Sequence, residues 1–325
     1  MNPIWAYLTP MIQTHLQPLP HGITLSCRAA GDRGRPVLLF LHGFPEGAFV
    51  WDELLAHFAK PESGGYRCVA PNLRGFEKSS GPADVKAYRP KFLVQDIEAL
   101  IAIETRGQNG HQNGQLAALV AHDWGGAVAW NLINQMPHLA KKLVIINSPH
   151  PGTFLRELQT SAKQQAASAY MNFLITPEAE ALLAQDDFKR LWQFLISTNT
   201  GEQGASAAPE PAWLTEDVKN QYRAVWNAGL TGGCNLYRAS PLRPPTSVDS
   251  AAAAITLPRE MLTISLPTLV IWGLDDVALP PELVDGLGDY IADLTLVKVP
   301  GASHWIVHEN PPLVIRTIAG FLEAQ

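Results

Sequence analysis

Ala121-His122-Asp123-Trp124-Gly125-Gly126 joins an apolar run, Leu116-Ala117-Ala118-Leu119-Val120, to a segment of helical character over residues 127–136. A small residue two positions before Asp123 and two glycines after Trp124 suit a sharp strand-to-helix turn, because neighbouring backbone must approach closely there. Such a turn lifts Asp123 clear of the sheet. In the serine form of this elbow, Gly-x-Ser-x-Gly, the central residue is a nucleophile. Here a carboxylate stands in that place, and its chemistry would run through an alkyl ester on aspartate. The plainer reading makes Asp123 the N-cap of the helix that follows. The stretch alone weighs the two readings about equally; the flanking chain decides between them.

Upstream, Pro36-Val37-Leu38-Leu39-Phe40-Leu41 is a continuous apolar run suited to a strand covered on both faces. It ends in His42-Gly43-Phe44-Pro45-Glu46. Glycine followed by X-Pro at the C-terminal end of a strand forces irregular backbone, which can leave an N–H pointing into a crevice. The Phe44 and Trp124 N–H groups are therefore the candidate oxyanion hole. The alternative for Gly43-Phe44-Pro45 is a plain strand-ending turn, and Glu46 is expected to be structural there. Further strands are expected over residues 22–28, 66–71 and 142–147, helices over 51–59 and 92–106, and a polar surface loop over 107–115. The alternation argues for a mostly parallel sheet wrapped by helices.

At Ser148-Pro149-His150-Pro151 the pattern changes. Residues 152–258 carry helical segments rich in Gln, Ala and aromatics, broken at 200–211 and by the Pro/Ser/Ala-rich stretch 241–254. This reads as an inserted helical lid with two loops. The sheet pattern resumes at Pro267-Thr268-Leu269-Val270-Ile271-Trp272-Gly273, followed by Leu274-Asp275-Asp276. Residues 294–299 form another strand leading into Pro300-Gly301-Ala302-Ser303-His304-Trp305, and a closing helix spans 312–323. The expected division is a core of 1–148 and 259–325 and a cap of 149–258. An acid after one strand end and a histidine after the next give the order nucleophile, acid, histidine.

Composition narrows the function classes. A chain of 325 residues with 46% hydrophobic and 17% charged content can bury a sizeable core. A net charge of −6 offers no basic surface for nucleic acid. Cys27, Cys68 and Cys234 lie far apart without metal-ligand spacing, which favours reduced thiols and a cytoplasmic setting. Met1-Asn2-Pro3-Ile4-Trp5 does not read as a signal peptide. No apolar run approaches the ~18 residues of a membrane span. His122, His138, His150 and His308 stand apart in the sequence, so no metal is inferred.

Four motifs in register, His42-Gly43-Phe44-Pro45-Glu46, His122-Asp123-Trp124-Gly125-Gly126, Trp272-Gly273-Leu274-Asp275-Asp276 and Ser303-His304-Trp305, make the chain resemble the α/β-hydrolase-fold epoxide hydrolases over nearly its whole length. The resemblance implies that Asp123 opens the epoxide, that His304 activates water, and that Asp276, rather than Asp275, orients the histidine. It also implies two lid tyrosines assisting ring opening, Tyr170 in Ala169-Tyr170-Met171 and Tyr237 in Leu236-Tyr237-Arg238. Phenols with pKa near ~10 can hydrogen-bond the departing alkoxide and donate a proton as it becomes basic. Two departures from the family pattern, Glu77 in Arg74-Gly75-Phe76-Glu77 and Ser303 before the histidine, touch loop shape rather than these groups.

Within the same fold, the haloalkane and haloacid dehalogenases also use an elbow aspartate, and Trp124 suits a halide as well as an epoxide. The paired tyrosines favour the epoxide, and Trp124 and Ala127 stand where haloacid relatives carry arginines. A small-molecule receptor or pseudoenzyme is the alternative of another class. The expected pocket is lined by Phe44, Pro45, Trp124 and Trp305. The expected partners are a small apolar epoxide and water, without cofactor, metal, nucleic acid or membrane, for a monomeric or homodimeric chain.

Overall fold

The computed structural model describes residues 11–106, 114–196 and 210–324. Eight strands form one sheet in the order β1-β2-β4-β3-β5-β6-β7-β8: β1 (Gln13–Pro18), β2 (Thr24–Ala30), β3 (Val37–Leu41), β4 (Arg67–Pro71), β5 (Ala118–His122), β6 (Leu143–Ile146), β7 (Thr268–Gly273) and β8 (Leu294–Val299). β2 runs antiparallel to both β1 and β4, and the remaining pairings are parallel. β1 is absent from the sequence-based expectation. Its pattern Gln-Thr-His-Leu-Gln-Pro carries one large apolar residue and alternates between exposed and half-buried, as an edge strand with little to bury does.

Every residue of β3, β5, β6 and β7 is buried. Helices cover both faces, so these strands read as unbroken apolar runs. Each fully buried Leu, Ile or Val stabilises by about 1.5–3 kcal/mol, and truncating one such as Leu39 to Ala costs about 2–5 kcal/mol.

α1 (Asp52–Phe58), α2 (Pro90–Glu104), α3 (Trp124–Gln135) and α11 (Pro311–Glu323) pack around the sheet, with the short α10 (Ile306–Glu309) before the last. α2 buries Leu93, Ile97, Leu100 and Ile101 as its spacing predicts, and places Asp96 and Glu104 on the buried side too. Both are paired, Asp96 with Arg74 at 2.6 Å and Glu104 with Arg67 at 3.0 Å, as buried charges require.

Between β6 and β7 the chain leaves the sheet for the cap, which among the described residues holds the helices α4 (Pro151–Thr160), α5 (Ala162–Ala167), α6 (Tyr170–Leu174), α7 (Ala179–Ile196), α8 (Glu216–Asn227) and α9 (Thr231–Ala239). α7 is kinked where Asp186, Asp187 and Phe188 take positive φ. Of the expected loops, residues 107–113 and 200–209 lie outside the described residues, and 241–254 is irregular chain closing in a short 3-10 turn, Ala251–Ala254.

Parallel pairing delivers strand C-terminal ends to one edge of the sheet. The register Leu41↔Ala121 sets the His42-Gly43-Phe44 turn beside the elbow. His122↔Ile146 brings Asn147 alongside, and Gly273↔Val299 aligns the loops carrying Asp276 and His304. Five segments distant in sequence thus converge at one edge of the sheet beneath the cap.

Candidate active site

Asp123 sits at the apex of the turn between β5 and α3 with φ 48 and ψ −122. Its side chain makes no N-cap hydrogen bond, so the N-cap reading fails. Instead Oδ1 accepts the Phe44 N–H at 2.8 Å, and the Trp124 amide adds to the pull that favours the ionised carboxyl. The positive φ is a strained conformation for a non-glycine residue and turns the side chain away from the helix that it precedes. Glycine is required on both sides of the arrangement. A Cβ on Gly125 would lie 2.3 Å from the Leu41 carbonyl oxygen, and one on Gly43 would lie 2.1 Å from Asp123 Oδ1. Ser148 Oγ donates to the Asp123 carbonyl oxygen at 2.6 Å, fixing the apex from the β6 side.

His42 holds the neighbouring turn. Burial lowers its imidazole to about 4, leaving it neutral. Its Nε2 accepts the Leu73 N–H at 3.0 Å, so the proton is on Nδ1, which lies 2.8 Å from the Gly43 carbonyl oxygen.

His304 Nδ1 lies 2.6 Å from Asp276 Oδ2, and its Nε2 lies 3.8 Å from Asp123 Oδ2. Asp276 is fully held: Oδ1 accepts the N–H groups of Ala278 and Leu279 at 2.9 and 2.8 Å, and Oδ2 accepts Asn147 Nδ2 at 2.7 Å. Asp275, by contrast, is exposed. Burial alone would lower the His304 pKa, but the charge and hydrogen bond of Asp276, with Asp123 and Glu46 behind them, raise it to about 9. Burial pushes Asp123 up, against the pull of His304, His122 and the Phe44 and Trp124 amides. A half-buried carboxylate thus faces an imidazole ring whose orientation is fixed by a second carboxylate.

Tyr170 on α6 and Tyr237 on α9 meet across the cap side, 6.0 Å between ring centroids at 78°. Tyr237 also stands edge-on to Trp124 at 5.0 Å and to Phe44 at 5.5 Å. Burial is the main force raising both phenols above their ordinary range, and the nearby Asp123 charge adds to it, so both remain O–H donors across physiological pH.

Asp123, Trp124, Tyr170 and Tyr237 line one cavity of about 260 Å³. Of the four residues expected along the pocket, only Trp124 lines it. Phe44 is consumed by packing under Tyr237 and Gly233, and the Pro45 carbonyl by the Trp226 indole N–H at 2.7 Å. Trp305 lines a small separate cavity with His304 and Phe194.

Sequence reading missed Asn147, which takes φ 38, bridges Asp276 to the Gly273 N–H at 2.9 Å, and ends a buried strand where asparagine tolerates the left-handed region. It also treated His122 and His308 as isolated. Glu46 Oε2 lies 2.9 Å from His122 Nδ1, and Glu46 Oε1 lies 3.1 Å from His308 Nε2 and accepts the Tyr222 hydroxyl at 3.1 Å. His122 Nε2 reaches the His304 carbonyl oxygen at 3.0 Å. Against a large cost of burial, hydrogen bonds and charge from the two histidines hold the Glu46 carboxyl well below the usual range.

Such a constellation can attack an electrophilic carbon through a carboxylate, support the oxygen leaving it with two phenols, and then deprotonate water. Residues 36–311 match the family of the α/β hydrolase fold. A Bacillus subtilis protein, AB hydrolase superfamily protein YfhM, is 30% identical over 308 residues, 94% of this chain and 96% of its own. Mouse epoxide hydrolase 4 is 30% identical over 330 residues, all of this chain and 84% of its own. The crystal structure of Bacillus megaterium epoxide hydrolase in complex with an inhibitor superposes with TM-score 0.81 at 28% identity, covering 95% of this chain and 100% of that one.

Proposed function

On a chain that belongs to the α/β-hydrolase fold family, in its epoxide-hydrolase branch, we propose that the Asp123 site adds water to an epoxide to give a vicinal diol through a covalent ester. The observation that carries this reading is the pair of phenols, Tyr170 and Tyr237, lining the same cavity as a carboxylate set at a strained elbow. A halide leaving group has no need of two proton donors; the alkoxide of an opening epoxide does.

Asp123 Oδ2, the oxygen not held by the Phe44 N–H, attacks an epoxide carbon. The C–O bond breaks, and the ring oxygen leaves toward the Tyr170 and Tyr237 hydroxyls, one of which supplies its proton. Alkylation removes the Asp123 charge, one of the influences raising the His304 pKa, so the imidazolium gives up its proton, which restores the tyrosine hydroxyl through solvent, and the neutral His304 can take a proton from water. Hydroxide adds to the Asp123 carbonyl carbon, and the oxyanion forms on Oδ1, facing the Phe44 and Trp124 N–H groups. Collapse breaks the bond between the carbonyl carbon and Oδ2, His304 passes the proton it took from water to Oδ2, which leaves as the second hydroxyl of the diol, and the Asp123 carboxylic acid so formed reprotonates His304. The steps need no cofactor. The same reading takes 149–258 as a cap over a core of 1–148 and 259–325. It places the protein in the cytoplasm, supported by three free buried cysteines.

The test is a single turnover with excess enzyme and styrene oxide in heavy-oxygen water, followed by mass analysis of the elbow peptide and the diol. Label in Asp123 with an unlabelled first-turnover diol supports the ester route, and label in the diol alone refutes it. Halide release from a haloalkane with no diol formed would instead select the dehalogenase reading.

A further inference from the structure

One wall of the cavity comes from a strap between α9 and β7, residues 241–258, rather than from a helix. Leu242, Ile255 and Leu257 of the strap, with Phe154 of α4, line the cavity. The same four side chains, all half-buried, pack against a small apolar cluster of Leu155, Leu158 and Ala252 that is separate from the main core. Each therefore has one apolar face packed on this cluster and another bordering the cavity, where a ligand can cover it.

The strap is fastened. Gln159 Nε2 on α4 donates to the carbonyl oxygens of Ala252 and Ile255 at 3.0 and 2.9 Å, and Asn172 Nδ2 on α6 donates to that of Pro244 at 3.2 Å. Its own loop is clasped by an ion pair between Arg243 and Asp249 and by the Thr246 N–H donating to the Asp249 carbonyl oxygen at 2.8 Å. The tip, by contrast, is open, with Val248 at 93% exposure.

Charge completes the picture. Among the described residues lining the cavity, Asp123 is the only acid, and none is Lys or Arg. His150, also in the lining, is lowered to about 4 by burial and is tied by Nε2 to the Leu262 carbonyl oxygen at 2.8 Å. An anionic substituent would meet no counter-charge here and would share a desolvated space with the Asp123 carboxylate.

We propose that the strap binds the substituent carried by the epoxide. The favoured substrates are then uncharged epoxides with an alkyl or aryl substituent long enough to cover Leu242, Ile255 and Leu257. This specificity rests on the epoxide-opening reading of Asp123.

The experiment compares three terminal epoxides: a four-carbon one, a twelve-carbon one, and a twelve-carbon one ending in a carboxylate. In wild type the neutral long epoxide is preferred over both others. In Leu257→Ala and Ile255→Ala, the ratio of kcat/KM for the long neutral epoxide over the short one falls by about ten-fold or more, through KM of the long one, the scale of a lost methylene contact. Leu257→Met keeps the ratio, and Arg243→Ala, which unclasps the strap, lowers it. Melting curves identify any variant that has failed to fold, and Leu257→Met then decides with wild type. An unchanged ratio in the folded alanine variants, or equal turnover of the carboxylate and neutral long epoxides, overturns the proposal. If wild type opens no epoxide at all, the reaction reading has failed. Calorimetric binding of dodecanol, weakened by Leu257→Ala or not, then decides the strap's role by itself.

Discussion

Asp123 Oδ2 and His304 Nε2 stand 3.8 Å apart, near enough for their charges to interact and too far for a hydrogen bond. Each therefore tunes the other without being locked to it. In Asp123→Asn one of the charges raising His304 is gone, and its pKa should fall from about 9. Titration of the ring protons by NMR checks this, and an unmoved midpoint would show that Asp276 and Glu46 set the value without Asp123. The folded value lies above the ordinary 6.5, so this group's contribution to stability is full below pH 6.5 and is lost as pH rises through 9.

Replacing Tyr170 or Tyr237 with Phe removes one of the two phenols that line the cavity with Asp123. Each single variant should slow formation of the ester on the order of ten-fold or more. The double variant should fall by about 10²–10⁴-fold, the range of general acid catalysis. Stopped-flow traces following tryptophan fluorescence separate ester formation from its hydrolysis. If the double variant forms the ester at the wild-type rate, the phenols play no part.

Gly43→Ala adds a Cβ where Asp123 Oδ1 sits, at 2.1 Å. The carboxylate must leave the Phe44 N–H, so kcat should drop by about 10²-fold or more, the scale of a lost oxyanion donor. The strands on either side are untouched, and the melting temperature should fall much less than the activity does. Comparable losses in both would mean that the turn is needed for folding.

Glu46 is buried among His122, His308 and Tyr222, so Glu46→Ala strands groups that depend on it. Urea unfolding at pH 7 should show a loss of about 3–5 kcal/mol. Its carboxyl is held below its ordinary 4.5, so the wild-type contribution is present above pH 4.5 and is lost as pH falls below it toward the folded value. A variant as stable as wild type at pH 7 would reduce the cluster to coincidence.

What was legible in the sequence follows from the range of the interactions involved. The elbow at Asp123, the turn at Gly43 and the strand ends before Asp276 and His304 are local signals, made by glycine, proline and apolar runs, and all four meet at one edge of the sheet. β1 was illegible because an edge strand buries too little to leave an apolar pattern. The Glu46 cluster joins residues 46, 122, 222 and 308, which no window along the chain brings together. The pocket lining was misassigned for a related reason. Phe44 and Trp305 adjoin the reactive residues in sequence, but the cap packs onto Phe44 and turns the open face toward 241–262 instead.

The cavity wall without cations has a consequence for how turnover ends. An epoxide brings a single ether oxygen and prefers oily surroundings; the diol brings two hydroxyls, which water solvates far better than Leu and Ile side chains can. The reaction itself inverts the partition between pocket and solvent, so the surface that collects the reactant rejects what it becomes. On the epoxide reading, solubility then favours departure of the product.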